Sequence, residues 1–314
     1  MTQLTDDILA GIAHDYYLSK LNIADISQKY NLSRYLVSKA LDDAQKHGIV
    51  QISIQQQTKR DSELERKFQN KFHLKEVFIL KDQDTTNQDN EAIVKFAAQQ
   101  IQNYAKSAHN IGMSWGTLMM DIIRFFKEEE RKDLNFIQLS GQTFNSSPRK
   151  KQLTQEAATK FNAKAYTLPA PLYVKNPQLI KDIQQEPFYQ NLINYYQNLD
   201  LTFAGLGTFQ SIQVNQFFMK NYAPILFKDI DVDKIAGLVF GHAYDIEGNF
   251  FTQLDNNICS ISIKDLQNTP NRFVIVKNRF KTNALLGALR SEIFTHLVTS
   301  EGIAERVWQK ANEN

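Results

Sequence analysis

Apolar positions in the first 50 residues recur at the three- and four-residue spacing of amphipathic helices. Ile8, Ile12 and Tyr16 share one face of the first such stretch. Gly48 ends the third stretch, and the alternating segment 49–54 predicts a short strand. Residues 1–56 therefore contain three predicted helices and one predicted strand. The helices are predicted at residues 6–17, 23–30 and 33–46.

After a polar segment at 55–60, a linking helix is predicted at 62–72, and strand-like and helix-like runs then alternate. The strands are predicted at 77–80, 110–114, 134–140, 165–168, 201–207, 236–244, 273–276 and 296–300. The helices are predicted at 90–107, 116–129, 152–161, 178–197, 281–291 and 301–312. This alternation predicts an α/β domain with a mostly parallel sheet covered by helices on both faces. We expect three segments: residues 1–56, a linker at 57–75, and a large domain at 76–314.

The composition is that of a globular protein. The chain has 314 residues, of which 42% are hydrophobic and 22% charged. This excludes a disordered tail, a collagen-like fibre and a small disulfide scaffold. Lys and Arg number 36 against 34 Asp and Glu, so any contact with nucleic acid must come from a local patch.

Targeting and redox chemistry are also constrained by the sequence. Cys259 is the single cysteine, so neither an internal disulfide nor a cysteine-rich metal site is expected. The first residues carry acids where a signal peptide needs a basic region, and no apolar run approaches the length of a membrane span. We expect a cytoplasmic protein.

The segment 23–54 has the spacing of a helix-turn-helix that ends in a small wing. Asn31 suits a tight turn, and Ser33 is a good N-cap for the second helix. Between Gln28 and Arg60, six Lys or Arg face two Asp, the local excess that phosphate binding needs. The alternative is a three-helix module that binds another protein. The residues predicted to contact DNA are Ser33, Arg34, Tyr35, Ser38 and Lys39.

Several predicted strands end in loops rich in Gly, Ser and Thr, which precede helices. Such loops bind ligands beyond the carboxyl ends of parallel strands, and a helix N-terminus there favours an anion. Each loop alone could be a simple turn, but together they favour a small anionic ligand. The candidate ligand-binding residues are Ser114, Gly116, Thr117, Ser140, Gly141, Gly205, Gly207, Thr208 and Lys281. Asp245 is a further candidate, although an Asp before a Gly-containing turn is often structural.

The sequence offers little evidence for an enzyme. The six histidines show no metal-binding spacing, and no serine-hydrolase, zinc-protease or P-loop motif is present. We expect neither a cofactor nor a metal. A sugar-phosphate isomerase or aldolase-like enzyme with an accessory helical domain remains the alternative.

Taken in order, these motifs resemble the SorC family of bacterial sugar-responsive transcriptional regulators over nearly the whole chain. The resemblance is carried by SRYLVSKALDDAQKHGIVQISI (33–54), SWGT (114–117), FIQLSGQ (136–142), TLPAPLYV (167–174), AGLGTFQS (204–211), GHAYDIEGNF (241–250) and KTNALLGALRSEIFTHLVTSEGIAERV (281–307). It implies a winged helix-turn-helix followed by a Rossmann-like, sugar-isomerase-like effector domain. It also implies operator DNA and a phosphorylated sugar or polyol as partners, and assembly into dimers or tetramers.

Four positions depart from the family pattern. Leu118 replaces a second Thr, KNRF (277–280) replaces a Gly-Gly before Lys281, Leu238 replaces an acid, and Ser140 replaces a basic residue. Phosphate binding through Gly116, Thr117 and Lys281 is compatible with these changes. They also leave open a regulator that has lost its ligand.

Overall fold

The computed structural model describes residues 4–50, 59–143 and 152–313. The chain divides into two compact units, residues 1–57 and 58–314. Within the described ranges, no helix combines the length and apolar character needed to cross a bilayer.

The first unit is a bundle of three helices, as the sequence predicts: α1 (Asp6–Tyr17), α2 (Ile23–Tyr30) and α3 (Arg34–Lys46). One apolar face of each helix meets the others in a small core, formed by Leu9, Ile12, Ala13, Ile26, Val37, Ala40, Leu41 and Ala44. Asn31 ends α2 in the left-handed conformation, with φ 54°. Most of the predicted strand 49–54, and with it the predicted wing, lies outside the described residues.

The second unit is built on a seven-stranded sheet in which every pairing is parallel. Its strands are β1 (Glu76–Leu80), β2 (Asn110–Met113), β3 (Asn135–Gln138), β4 (Lys164–Tyr166), β5 (Leu201–Ala204), β8 (Asn271–Ile275) and β9 (His296–Ser300). β6 (Gly237–Val239) and β7 (His242–Tyr244) form a separate antiparallel pair. The predicted α/β class and parallel sheet are confirmed.

Helices connect the strands and cover both faces of the sheet. They are α4 (Ser62–Phe72), α5 (Thr86–Ala105), α6 (Thr117–Arg124), α7 (Leu153–Lys160), α8 (Pro177–Gln185), α9 (Pro187–Tyr196), α10 (Phe209–Gln213), α11 (Gln216–Asn221), α12 (Ala223–Leu226), α13 (Ile263–Asn268), α14 (Thr282–Arg290) and α15 (Glu301–Asn312). The helix predicted as a linker is α4, whose Leu64, Phe68 and Phe72 belong to the core on one face of the sheet. This helix is therefore an integral part of the second unit.

The strand order is β1-β9-β8-β5-β2-β3-β4. On one side of β2 the chain continues outward through β3 to β4. On the other side of β2 lies β5, and the chain continues outward from it through β8 to β9. The order thus reverses between β2 and β5, which is where open α/β sheets bind ligands. Four neighbouring strands, β8, β5, β2 and β3, bring the loops predicted to bind a ligand to one edge of the sheet.

The predicted strand 236–244 is wrong as a single element. Phe240 and Gly241 both have positive φ, 49° and 94°, and they form the two-residue turn between β6 and β7. Val239 is paired with His242 across this turn. Such a turn needs positive φ at both central residues, and a Phe at the first of them gives little warning of it.

Two predicted helices have different limits in the structure. The helix predicted at 178–197 is broken at Glu186, whose extended backbone (φ −68°, ψ 139°) precedes Pro187. A residue before proline is disfavoured in the helical conformation. The helix predicted at 116–129 ends at Arg124, because the backbone of Lys127 is hydrogen bonded to the Gln102 side chain through both its N–H and its carbonyl.

Candidate functional site

The exposed face of α3 carries the residues predicted to contact DNA. Arg34, Tyr35, Ser38 and Lys39 are all exposed, and 72% of Tyr35 is accessible to solvent. Their i, i+4 spacing places Arg34 above Ser38 and Tyr35 above Lys39 on one surface. Ser33 is exposed as well, but its hydroxyl oxygen accepts the Leu36 N–H at 3.3 Å. It therefore caps the helix.

The turn before α3 is held by polar contacts. Lys29 Nζ lies 2.7 Å from Asp15 Oδ2, which ties α2 to α1. This hydrogen bond lowers the pKa of Asp15 below its ordinary value. At the turn itself, the Ser27 hydroxyl donates to the Leu32 carbonyl. These contacts hold the turn that precedes α3.

In the second unit, the loop after β2 ends in an open helix N-terminus. Gly116 is the N-cap of α6, with φ 132° and ψ 169°, a conformation almost confined to glycine. The first bond of the helical ladder runs from the Met120 N–H to the Gly116 carbonyl at 3.1 Å. The N–H groups of residues 117–119 precede that ladder, and Gly116 has no side chain to cap them. This is the geometry that favours a bound anion.

Lys281 approaches the same edge of the sheet from the loop after β8. It is the N-cap of α14, as predicted, and its Nζ donates to the Leu206 carbonyl in the loop after β5 at 2.6 Å. Burial lowers the pKa of Lys281 below that of an ordinary amine, and the charge of Lys277 adds to the effect. A half-buried ammonium that donates to the Leu206 carbonyl has two further N–H donors that could meet an anionic ligand.

The loop after β5 lies against α6, but its own helix end is already satisfied. A Cβ at position 205 would lie 2.9 Å from Leu118 Cδ2, so a larger residue here would push against the Leu118 side chain of α6. Thr208 is the N-cap of α10 and forms a capping box with Ser211. Gly207 exchanges backbone hydrogen bonds of 2.8 and 3.0 Å with Leu238. The loop therefore shapes the site, and the N-terminus of α10 is already capped by the Thr208 and Ser211 side chains.

Comparison with known proteins gives the family of this chain. The family model "Putative sugar-binding domain" matches residues 56–309. The sorbitol operon regulator of Klebsiella pneumoniae is 24% identical over 96% of this chain and 98% of its own length. The crystal structure of that full-length regulator, SorC, superposes with a TM-score of 0.70 at 23% identity, covering 96% of this chain and 99% of the other. The chain belongs to the SorC family of transcriptional regulators.

A second relative is named for a different class of compound. The deoxyribonucleoside regulator of Bacillus subtilis (strain 168) is 20% identical over 92% of this chain and 93% of its own length. These relatives are regulators, which confirms the prediction of a regulator over an enzyme. The sequence resemblance and the predicted fold class are confirmed as well.

Three departures from the SorC pattern have partners in the structure. Leu118 packs on Gly205, and Leu238 lies in an apolar cluster with Phe209 and Ile258. Lys277, the first residue of the KNRF segment that departs from the family pattern, lies 2.7 Å from Asp121 Oδ2, one turn into α6. This ion pair offsets a carboxylate close to the open helix end. The sequence reveals Lys277 as a departure but not its partner on another element.

The loop after β3 joins the site through its backbone. Trp115 Nε1 donates to the Gly141 carbonyl at 3.0 Å, a contact that the sequence analysis does not predict. Ser140 is buried, and its carbonyl accepts from Gln138 Nε2 at 2.7 Å. The Gly141 N–H donates to the Cys259 carbonyl at 2.8 Å. Ser140 and Gly141 thus form the wall next to Trp115, and Ser114 lies at the end of β2 beside them.

Asp245 is placed differently from the other candidates. Its carboxylate accepts the Asn249 N–H at 2.9 Å and the Asn249 amide at 3.0 Å, which closes the turn after β7. Its backbone carbonyl packs on Gly287. Gly287 is six residues after Lys281, which is about 9 Å along α14. The structure gives Asp245 a turn-forming role and does not bring it to the Lys281 end of α14.

Proposed function

We propose that this protein regulates a carbohydrate-metabolism operon by binding operator DNA through α3. Its operator affinity is changed by a phosphorylated sugar or polyol bound at the β2/β5 switch point. The observation that carries this proposal is one chain with both an exposed basic face on α3 and, at the carboxyl edge of its sheet, a half-buried Lys281 and an uncapped N-terminus of α6. Because it acts on DNA, we place it in the cytoplasm.

The effector class follows from the chemistry of the site. A phosphate matches the α6 N–H groups, which carry roughly half a positive charge, and the full charge of Lys281. The adjoining polar backbone groups and Trp115 suit a sugar or polyol chain. Gly116, Thr117 and Lys281 are the proposed phosphate contacts. Ser114, Ser140, Gly141, Gly205, Gly207 and Thr208 shape the surrounding loops.

The proposed assembly is a dimer or a tetramer. Paired helix-turn-helix units read two half-sites about one helical turn apart, so the operator should be pseudo-palindromic. Footprinting would show two protected half-sites on opposite strands. A single protected half-site, with a monomeric mass by light scattering, would contradict the assembly.

Selection from a random DNA library by the full-length protein tests the function. Enrichment of one sequence motif, bound with salt-dependent affinity, is the expected result. Sorbitol 6-phosphate and 2-deoxyribose 5-phosphate are the first probes, following the names of the relatives, with the free sugars and inorganic phosphate as controls. A ligand that binds the native state raises the melting temperature. No enriched motif would overturn the proposal, and turnover of a sugar phosphate would favour the isomerase alternative.

Variants of α3 locate the DNA contacts. Arg34→Ala and Lys39→Ala should weaken operator binding by about 1–3 kcal/mol where the side chain reads a base, and relax specificity at one position. Lys46→Ala, in the last turn of the same helix, is the control that should leave sequence preference unchanged. Unaltered affinity in both test variants, with normal melting temperatures, would remove α3 from the interface.

A further inference from the structure

The segment that begins the second unit is hydrogen bonded to the end of β1. Residues 59–61 follow closely after Gln57, the last residue of the first unit. The Asp61 N–H donates to the Ile79 carbonyl and the Lys81 N–H to the Lys59 carbonyl, both at 2.9 Å. Residues 79–81 are therefore bonded directly to residues 59–61, the first described residues of the second unit.

Side chains strengthen this attachment. Asp61 caps α4 by accepting the Leu64 N–H at 3.0 Å, and its other oxygen lies 2.6 Å from Lys81 Nζ. The same ammonium pairs with Glu301, the first residue of α15. The Leu64 N–H and the Lys81 charge hold the pKa of Asp61 at about 2. The Asp61 carboxylate is therefore ionised at neutral pH.

The next residue, Asp82, extends the network to the effector loop. One of its oxygens accepts the Gly302 N–H at 3.1 Å, in the first turn of α15. The other lies 3.4 Å from Arg279 Nη2. Asp82 therefore links residues 81–82 to both the start of α15 and the loop after β8.

Arg279 and Lys281 belong to a single short turn. Residues 279–281 form a 3₁₀ helix, and the Thr282 hydroxyl donates to the Arg279 carbonyl at 2.7 Å. An anion that draws the Lys281 ammonium from the Leu206 carbonyl acts on this turn. Its other end carries the Arg279 side chain.

We propose that the Arg279–Asp82 and Lys81–Asp61 ion pairs couple effector binding at Lys281 to the segment 59–61 that follows the DNA-binding unit. The inference rests on the proposed function and names the route of its regulation. Isolated exposed ion pairs contribute little to stability. Here the ion pairs of the adjacent residues Lys81 and Asp82 connect the end of β1 to the start of α4 and to the loop after β8. We therefore assign them a role in coupling more than in stability.

The test measures the ratio of operator dissociation constants with and without saturating sorbitol 6-phosphate or 2-deoxyribose 5-phosphate. Such a ratio is the coupling between the two sites, typically about 5- to 150-fold in allosteric proteins. Arg279→Gln and Asp82→Asn should bring it close to one. Effector affinity without DNA and operator affinity without effector should both stay within about twofold of wild type. Arg279→Lys, which keeps the charge, should restore most of the coupling.

Arg306→Gln, on the exposed face of α15, is the matched control and should keep the full ratio. An unchanged ratio in Arg279→Gln would overturn the proposed route. A loss of effector affinity in that variant without DNA would place Arg279 in the binding site and also overturn it. If wild type itself shows no change of operator affinity with either probe, the proposed function fails, and the route fails with it.

Discussion

Two loops of the effector domain have nearly the same sequence pattern but opposite roles. SWGT follows β2 and GLGT follows β5, and each leads into a helix. In the first, Gly116 is the N-cap and Thr117 is the first helical residue. In the second, Thr208 is itself the N-cap, and its side chain accepts the Ser211 N–H.

A shift of one residue therefore decides what each helix end can bind. Where Thr occupies the N-cap position, its hydroxyl oxygen satisfies the first turn from within. Where Gly occupies it, the first-turn N–H groups face the carboxyl edge of the sheet with no capping side chain. In these two loops, a Gly-Thr pair leaves the first-turn N–H groups without a capping side chain only where the Gly is the N-cap.

Removing the half-buried cation of the loop after β8 should have the largest effect. Lys281→Ala deletes a charged donor from a half-buried site, where hydrogen bonds to charged groups contribute about 1.5–3 kcal/mol. We expect affinity for a phosphorylated effector to fall roughly 10- to 150-fold, with ligand-free operator binding retained. Titration by calorimetry against sorbitol 6-phosphate and sorbitol measures this.

Lys264→Ala, at the exposed start of α13, is the control for that loss. A neutral sugar should bind both variants alike. Equal binding of the phosphorylated effector to Lys281→Ala and wild type would show that the site lies elsewhere.

Substituting the two glycines compares the loops directly. Ala at position 116 has space around its Cβ, yet φ 132° is strained for it, at about 1–3 kcal/mol. Gly116→Ala should therefore lower effector affinity, through a shifted loop, or lower the melting temperature. Gly207→Ala, where φ is not positive and the nearest atom is 3.4 Å from the added Cβ, should change stability by no more than about 0.5 kcal/mol. Similar behaviour of the two variants would contradict the comparison.

The two threonines should separate stability from binding. Thr208→Ala removes a cap and should cost about 1 kcal/mol of folding free energy, with effector affinity unchanged. Thr117→Ala removes no cap, so the melting temperature should hold while effector affinity falls by about 0.5–1.5 kcal/mol. Thermal melting and titration of both proteins distinguish the roles. The reverse result would mean that Thr208 contacts the ligand.

Elements with a local cause were predictable. Asn31 and Ser33 mark the turn of the helix-turn-helix through their own backbone and capping preferences, and α3 begins where they indicate. The strands of the central sheet are short buried apolar runs between helices, a pattern that also implies parallel pairing. Charge and helical periodicity sufficed to place Arg34 and Lys39 on an exposed face.

Elements that depend on neighbours were not predictable from the sequence. α10, α11 and α12 are too short to show periodicity, and they are held by an apolar cluster formed with distant residues such as Leu172 and Ile258. The turn at Phe240 and Gly241 also has tertiary contacts on both sides, because Phe240 packs in the larger core cluster and the flanking Leu238 and Ala243 pack in this one.

The sequence by itself determined the three-helix first unit, the parallel α/β class, the exposed face of α3 and the set of strand-end loops that precede helices. Each of these follows from periodicity, capping or strand-end chemistry within a few residues. Only the tertiary structure decided which loop keeps its helix end open, which carbonyl Lys281 meets, and that Lys277 pairs with Asp121 while Asp245 closes a turn. Those outcomes depend on strand order, and strand order brings together residues far apart in the chain.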